Sequence, residues 1–188
     1  MLLPRIKTER LLLRTYTTDD LESVYLIISD KDVMRFFSAD VTVERETVLT
    51  SLPRRMEKWK TQGFGQFGVF DKRSEKLIGY CGLQYLDNTN EVEIYYGFFK
   101  DFWGKGLATE AAKAVLRFGF EQVELEKIVA VTHPENTASQ KVLLKLSFKQ
   151  KENTVFYGVE AAYFAMMRED FQINDADVYQ LEYKDEFD

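Results

Sequence analysis

The segment from Glu91 to Thr132 constrains the fold more than any other. Glu91 to Phe98 reads as a strand. Gly106 to Gln122 reads as a helix with Ala108, Ala111, Ala112, Val115, Leu116 and Phe120 on its buried side, and Lys127 to Thr132 as a short buried strand. A strand–helix–strand unit needs a crossover, so its two strands run parallel if they are neighbours. The link into the helix is Phe99-Lys100-Asp101-Phe102-Trp103-Gly104-Lys105-Gly106-Leu107-Ala108-Thr109. Glycine lets backbone N–H groups approach a ligand closely and point the same way. A helix start adds unpaired donors and the positive end of a dipole. Together these can hold a phosphate, although Gly-x-Gly before a helix is also simply a tight turn. The segment lacks the third glycine of a dinucleotide loop and the Gly-Lys-Ser/Thr of a nucleotide-binding loop.

Around this unit the periodicity divides the chain. Arg10 to Arg14 reads as a strand, and Thr17-Thr18-Asp19-Asp20 offers a helix cap before Leu21, Val24, Tyr25 and Ile28 at helical spacing. Asp32 to Phe37 reads as a short helical turn. Val43 to Gln62 reads as a second helix with Val48, Leu52, Met56 and Trp59 along one stripe, and Pro53 predicts a kink or break inside it. Gly65 to Phe70 and Leu77 to Leu86 alternate as strands of a meander. Asn136 to Leu146 is helical. Phe148 to Phe156 and Tyr163 to Arg168 are expected to pair antiparallel across Tyr157 to Ala162. The pattern predicts one mixed α/β domain over 1–171, followed by an acidic tail over 172–188. In that tail Asp175, Asp177, Glu182, Asp185, Glu186 and Asp188 are expected to be solvated.

Composition narrows the class. Hydrophobic residues make up 45% and charged residues 30% of the 188, as in soluble globular domains. The 15 Phe and 10 Tyr suggest an aromatic core, an aromatic-walled pocket, or both. No apolar run approaches the roughly 20 residues needed to span a bilayer, and Met1 to Arg5 lacks the apolar stretch of a signal peptide. The single cysteine, Cys81, excludes a disulfide within the chain and makes a reducing cytoplasm the expected compartment. A net charge of -6 argues against general nucleic-acid binding and weakly favours a cationic substrate such as an amine.

Three ordered stretches then point to one family. They are Glu93-Ile94-Tyr95-Tyr96-Gly97-Phe98, the turn Trp103-Gly104-Lys105-Gly106 with Ala108-Thr109-Glu110-Ala111, and His133-Pro134-Glu135-Asn136-Thr137-Ala138-Ser139 through Leu146-Ser147-Phe148. They resemble the GNAT superfamily of N-acetyltransferases, and most of all its RimJ/RimL-type branch, which acetylates N-terminal amines of ribosomal proteins. Thr8 to Arg14 and Tyr163 to Phe171 match that branch as well, so the likeness spans nearly the whole chain. It implies a GNAT fold: a mostly antiparallel twisted sheet of about six to seven strands, with a parallel, splayed fourth and fifth pair and about four flanking helices. It also implies acetyl-CoA as cosubstrate and no metal.

In such a protein the pantetheine arm lies along Phe98, Phe99 and Lys100. The pyrophosphate takes amides from Gly104, Lys105, Gly106, Leu107, Ala108 and Thr109. Asn136 contacts the pantetheine or only caps its helix, and Lys141 and Lys145 either meet the distal phosphate or are ordinary surface lysines. Three positions depart from the family pattern. Asp101 replaces a Gln or Arg and should point away from a pyrophosphate. Tyr95 replaces a frequent glycine and would reshape the acceptor site. Ser147 replaces a glycine at a helix end.

Acetyl transfer to an amine needs a base for the amine proton, donors for the oxyanion, and help for the leaving thiolate. Glu93 matches the family's strand glutamate and is the leading base, acting through water, with Glu91 as its competitor if alternation brings both to one face. Ser139 matches a serine near the cofactor sulfur and is the candidate acid. Other members use a tyrosine one helical turn later, where this chain has Leu143. A metal site or a Ser-His-Asp triad would rest wholly on His133, the lone histidine. Cys81 reads as a packed thiol. Phe36, Phe37, Trp59, Phe64 and Phe67 belong to the acceptor side or to the core. The acceptor stays open between a protein N-terminus and a small amine such as an aminoglycoside or polyamine. A non-catalytic acyl-CoA-binding domain and an interaction module using the tail remain rival readings. Either a monomer or a homodimer is compatible.

Overall fold

The chain alternates between apolar strands that seek a common sheet and helices with one apolar stripe. A computed structural model describes residues 2–37, 44–156, 158–173 and 177–185. Its elements run β1 (Leu2–Lys7), β2 (Leu11–Arg14), α1 (Leu21–Ser29), α2 (Lys31–Met34), α3 (Arg45–Gln62), β3 (Gln66–Asp71), β4 (Leu77–Tyr85), β5 (Val92–Phe98), α4 (Leu107–Glu121), β6 (Lys127–Thr132), α5 (Thr137–Lys145), β7 (Lys149–Gln150), β8 (Thr154–Phe156), β9 (Val159–Met167) and β10 (Gln180–Asp185). The strands form one 10-stranded sheet in the order β10-β1-β2-β3-β4-β5-β6-β9-β7, with β8 on β9. All neighbours are antiparallel except β5 and β6. The expected mixed α/β architecture with one parallel pair is therefore present.

Alternation along β5 sends its side chains to two cores. Val92, Ile94 and Phe98 join the buried face of α4, where Ala111, Ala112, Val115 and Leu116 are fully or almost fully shielded, and Tyr96 packs against the same cluster. Tyr95 points the other way, to a cluster built from Tyr16, Val24 and Ile27, Val33, Val48 and Tyr80. α3 bridges the two, with Val48 in one cluster and Trp59 in the other.

Several expectations are corrected. The sheet has more strands than the anticipated six to seven. β1 was not foreseen, because Pro4 interrupts a short run. Part of the supposed tail is β10, which pairs along the whole of β1. Two of the tail's acids are paired: Glu182 on β10 accepts from Lys7 Nζ at 3.1 Å, and Asp177, ahead of β10, pairs with Lys113 on α4. α3 runs unbroken through Pro53. The closing hairpin turns near Gly158 rather than across Tyr157 to Ala162, so β9 starts at Val159 and pairs with β7 and β8 in succession. Val43, Tyr157, Asp175, Glu186 and Asp188, and the side chain of Leu52, lie outside the described residues. No described helix is long and apolar enough to cross a membrane.

Candidate active site

The turn after β5 is shaped by two left-handed glycines. Gly104 has φ 71° and Gly106, the N-cap of α4, φ 78°. Side chains avoid this region at a cost of roughly 1–2 kcal/mol, so the glycines keep the turn unstrained. A short 3-10 turn over Lys100–Phe102 precedes it, and Trp103 Nε1 donates to Phe98 O at 2.7 Å. Between Gly104 and Thr109 the backbone amides donate to no backbone carbonyl among the described residues; the first amide to do so is that of Glu110, to Gly106 O. A helix start whose N–H groups lack backbone partners is able to hold an anion.

A buttress holds this array. Glu110 accepts from Thr8 Oγ1 at 2.6 Å, from the Arg10 amide at 2.9 Å and from Arg10 Nε at 2.7 Å. Arg10 Nη1 in turn donates to Lys105 O at 2.9 Å. The loop between β1 and β2 thus ties down the carbonyl side of the turn and leaves the amide side open. A cavity of about 440 Å³ lies alongside, lined among others by Lys105, Gly106, Thr109, Lys113, Arg117 and Lys145. Lys145 therefore stands near the turn, and Lys141 does not line this cavity. Asp101 is exposed in the 3-10 turn.

β5 and β6 are paired at one register only, Glu93 with Val129, and beyond it they separate. Phe99 N–H bonds Ile78 O on β4, while Phe98 O turns to Trp103. By strand parity the amide and carbonyl of Tyr96 also face away from β4, into the opening towards β6. The root of this opening is Glu93, whose residue is only 4% exposed and whose Oε1 accepts from Gln84 Nε2 at 2.8 Å.

On the α4 side of the opening, the Tyr96 hydroxyl reaches α5. It lies 3.0 Å from Ser139 Oγ and donates to Ser139 O at 3.3 Å. Burial pushes the Tyr96 phenol well above its ordinary range, only partly offset by the Ser139 bond, so it stays protonated. Asn136 caps α5, its Oδ1 accepting from the Ser139 amide at 3.1 Å. Leu143, where a family tyrosine would stand, is buried in the core.

Glu91 is engaged elsewhere. Tyr163 Oη donates to its carboxylate at 2.9 Å and Lys127 pairs with it. Burial acts to raise its pKa, but these bonds outweigh burial and hold the carboxyl below its ordinary value. A carboxylate so stabilised is a weak proton acceptor. Phe36 stacks on His133 at 5.4 Å, and Phe37 packs at 6.3 Å against Tyr80, a member of the cluster that Tyr95 joins. Trp59, Phe64 and Phe67 are core residues. Burial pushes the Cys81 thiol far up, which leaves it inert. No group of three or more His, Cys, Asp or Glu that could hold a metal occurs among the described residues.

A family model described as an acetyltransferase (GNAT) domain matches residues 10–149, which contain this whole arrangement from the Arg10 buttress to α5. The chain belongs to the GNAT acetyltransferase family. It is an acetyl-CoA-dependent N-acetyltransferase, as GNAT proteins are. It is 33% identical over 150 residues to the uncharacterized N-acetyltransferase p20 of Bacillus licheniformis, an alignment spanning 77% of this chain and 82% of that protein. Among solved structures, a GNAT-family acetyltransferase from Bacillus anthracis superposes with a TM-score of 0.75 and 28% identity, over 88% of this chain and 99% of its own. Two more distant solved structures share the fold. The ribosomal-protein-S5-alanine acetyltransferase of Vibrio fischeri has a TM-score of 0.71 at 19% identity, covering 90% and 99% of the two chains. The spermidine N-acetyltransferase of Vibrio cholerae, solved with CoA and spermine, has a TM-score of 0.73 at 17% identity, covering 86% and 97%. The acceptors they are named for differ, so the shared fold alone leaves the acceptor of this chain undecided.

Three residues of this site were not singled out from the sequence. Tyr96 could have been found by alternation from Ile94, since it shares that face. Arg10 and Glu110 sit within recognised motifs, but their mutual contact spans 100 positions and has no local signal.

Proposed function

We propose that the protein acetylates a primary amine by direct attack, with Glu93 as base and Ser139, held by Tyr96, as proton donor to the leaving thiolate. Acetyl-CoA supplies the activated acetyl group. The amides of Gly104 to Thr109 bind its pyrophosphate, and Phe98, Phe99 and Lys100 flank its pantetheine arm. The Tyr96 amide, free in the opening, donates to the acetyl oxygen as negative charge builds there. Glu93 takes the amine proton through water as the C–N bond forms; as the C–S bond breaks, the thiolate takes the Ser139 Oγ proton, which solvent water replaces, and the Tyr96 hydroxyl holds Ser139 Oγ in place throughout. Asn136 holds the first turn of α5, and with it Ser139, in place. The inert Cys81 supports attack without an acyl-enzyme. The acceptor is a protein N-terminal amine or a small-molecule amine.

The observation that carries this reading is the splayed pair: a buried carboxylate at the root of β5 and β6, on the opposite sheet face from the Tyr96–Ser139 pair, with the opening between them. Glu93→Gln tests it. Its kcat should fall about 10²–10⁴-fold, while acetyl-CoA affinity stays within about twofold. Wild-type kcat in this variant would remove Glu93 from the mechanism.

A further inference from the structure

α3 carries a cation on its apolar stripe. Val48 and Trp59 are buried along that stripe, and Arg55, two turns on from Val48 and next to Met56, is turned inward and only partly exposed. One of its N–H groups, on Nη1, donates to Gln66 Oε1. Its Nε is shielded from solvent and has no hydrogen-bond partner among the described residues. A guanidinium has five N–H donors in a planar fork, and among the described residues only the one on Nη1 meets a protein acceptor. No carboxylate pairs with it among the described residues; Asp20, whose charge is felt at the neighbouring Tyr16, already holds Arg14 at 2.6 and 2.9 Å. Shielding a cation in this way costs stability unless an anion completes it.

The surroundings lie on the acceptor face. Arg55 acts electrostatically on Tyr16, Tyr80 and Tyr95 together. Glycines make room for two of these phenols over the sheet: a Cβ at Gly68 would stand 2.6 Å from the Tyr16 ring, and one at Gly97 2.6 Å from the Tyr80 ring. Gln66 is paired to Gly82, and Gly82 to Tyr95, so these three share one face. Tyr95 lies about 7 Å along β5 from Glu93 on that face, and Gln66 about 10 Å across two strand spacings from Tyr95. A cationic fork therefore stands on the same face as the base, about one small molecule's length away.

We infer that Arg55 receives an oxyanion of the acetyl acceptor, so that the substrate class is an amine carrying a carboxylate roughly 5–10 Å from its nitrogen. This rests on the reading of Glu93 as base. It disfavours a polycation such as a polyamine, whose second charge would be repelled. The carboxylate can belong to a free ω-amino acid or to an acidic side chain near a peptide's N-terminus; the chemistry that Arg55 recognises is the same.

Acid–amide pairs isolate the charge. The small-molecule arm compares 5-aminopentanoate with 5-aminopentanamide. The peptide arm compares a tripeptide with glutamate in second place with the same peptide carrying glutamine, and spermidine serves as the cation. For each, kcat/KM is measured by thiol release and Kd by calorimetry in the presence of CoA. In at least one arm the wild-type protein should favour the acid about tenfold or more, and that arm identifies the source. Arg55→Gln should abolish the preference and leave the amide partner's rate and the melting temperature unreduced, while Arg55→Lys should keep part of it. Glu93→Gln should keep the acid-over-amide ratio in Kd while losing turnover. If instead it turns over normally, the base reading fails, and the Kd ratios still decide Arg55. Equal acid and amide constants in both arms, spermidine as the best acceptor, or equal losses for acid and amide in a destabilised Arg55→Gln would each overturn the inference.

Discussion

Replacing Gly106 with alanine strikes the proposed phosphate turn at its most constrained residue. Its φ of 78° would cost an alanine roughly 1–2 kcal/mol, offset by about 0.4–1 kcal/mol from the stiffer unfolded chain. The added methyl meets only Arg10 Nη2, at 3.6 Å, an ordinary contact. The net destabilisation is about 1 kcal/mol, a fall of roughly 2–4 °C in melting temperature for a chain of this size. If the turn relaxes to relieve the strain, its amides lose their common direction. A hydrogen bond to a charged group is worth about 1.5–3 kcal/mol, so losing one should weaken acetyl-CoA binding about 10- to 100-fold. Gly63 supplies the control. It caps α3 with φ 75°, nothing lies within 4 Å of a Cβ built there, and it is remote from the turn. Gly63→Ala should cost similar stability with no change in affinity. Calorimetric titration of both variants, with their melting curves, makes the comparison. Gly106→Ala with lowered melting temperature but wild-type affinity would mean that the turn does not hold the pyrophosphate.

Tyr96→Phe removes the hydroxyl 3.0 Å from Ser139 Oγ; kcat should drop about tenfold and stability by about 1 kcal/mol, with acetyl-CoA affinity unchanged by calorimetry. Glu91→Gln should leave kcat within about twofold and lower stability by about 1 kcal/mol at neutral pH. Because the Glu91 carboxyl is held below its ordinary value of 4.5, its contribution is present above that pH and lost as pH falls through the lowered value, so the melting curves of variant and wild type should converge in acid. Ser147→Gly should stabilise the protein by about 0.5–1 kcal/mol, since Ser147 sits at φ 70° where α5 ends, with Phe148 N–H bonded back to Leu143 O; denaturant midpoints measure it.

What could be read in advance follows from how local each signal is. The strand–turn–helix around Gly104 and Gly106 is written in consecutive residues, so its turn and the α4 face were readable together. The parallel pairing of β5 with β6 followed from the crossover. β10 was hidden because its sequence is mostly polar, and it is a strand only because β1 offers an edge and Lys7 a partner for Glu182. Alternation brought Glu91 and Glu93 to one face but could not rank them. The difference lies in Lys127 and Tyr163, which belong to β6 and β9. Arg55 escaped notice for the opposite reason: a periodic stripe draws attention to its apolar members, and a cation beside it reads as surface until its Nε is found buried.

If the opening between β5 and β6, with the turn at its end, takes acetyl-CoA, calorimetric titration of the purified protein with acetyl-CoA, CoA and ATP will register it. Saturable binding of acetyl-CoA and CoA, with none for ATP, is the predicted result. A folded protein that fails to bind acetyl-CoA at high concentration would mean that the opening and the turn hold no cofactor.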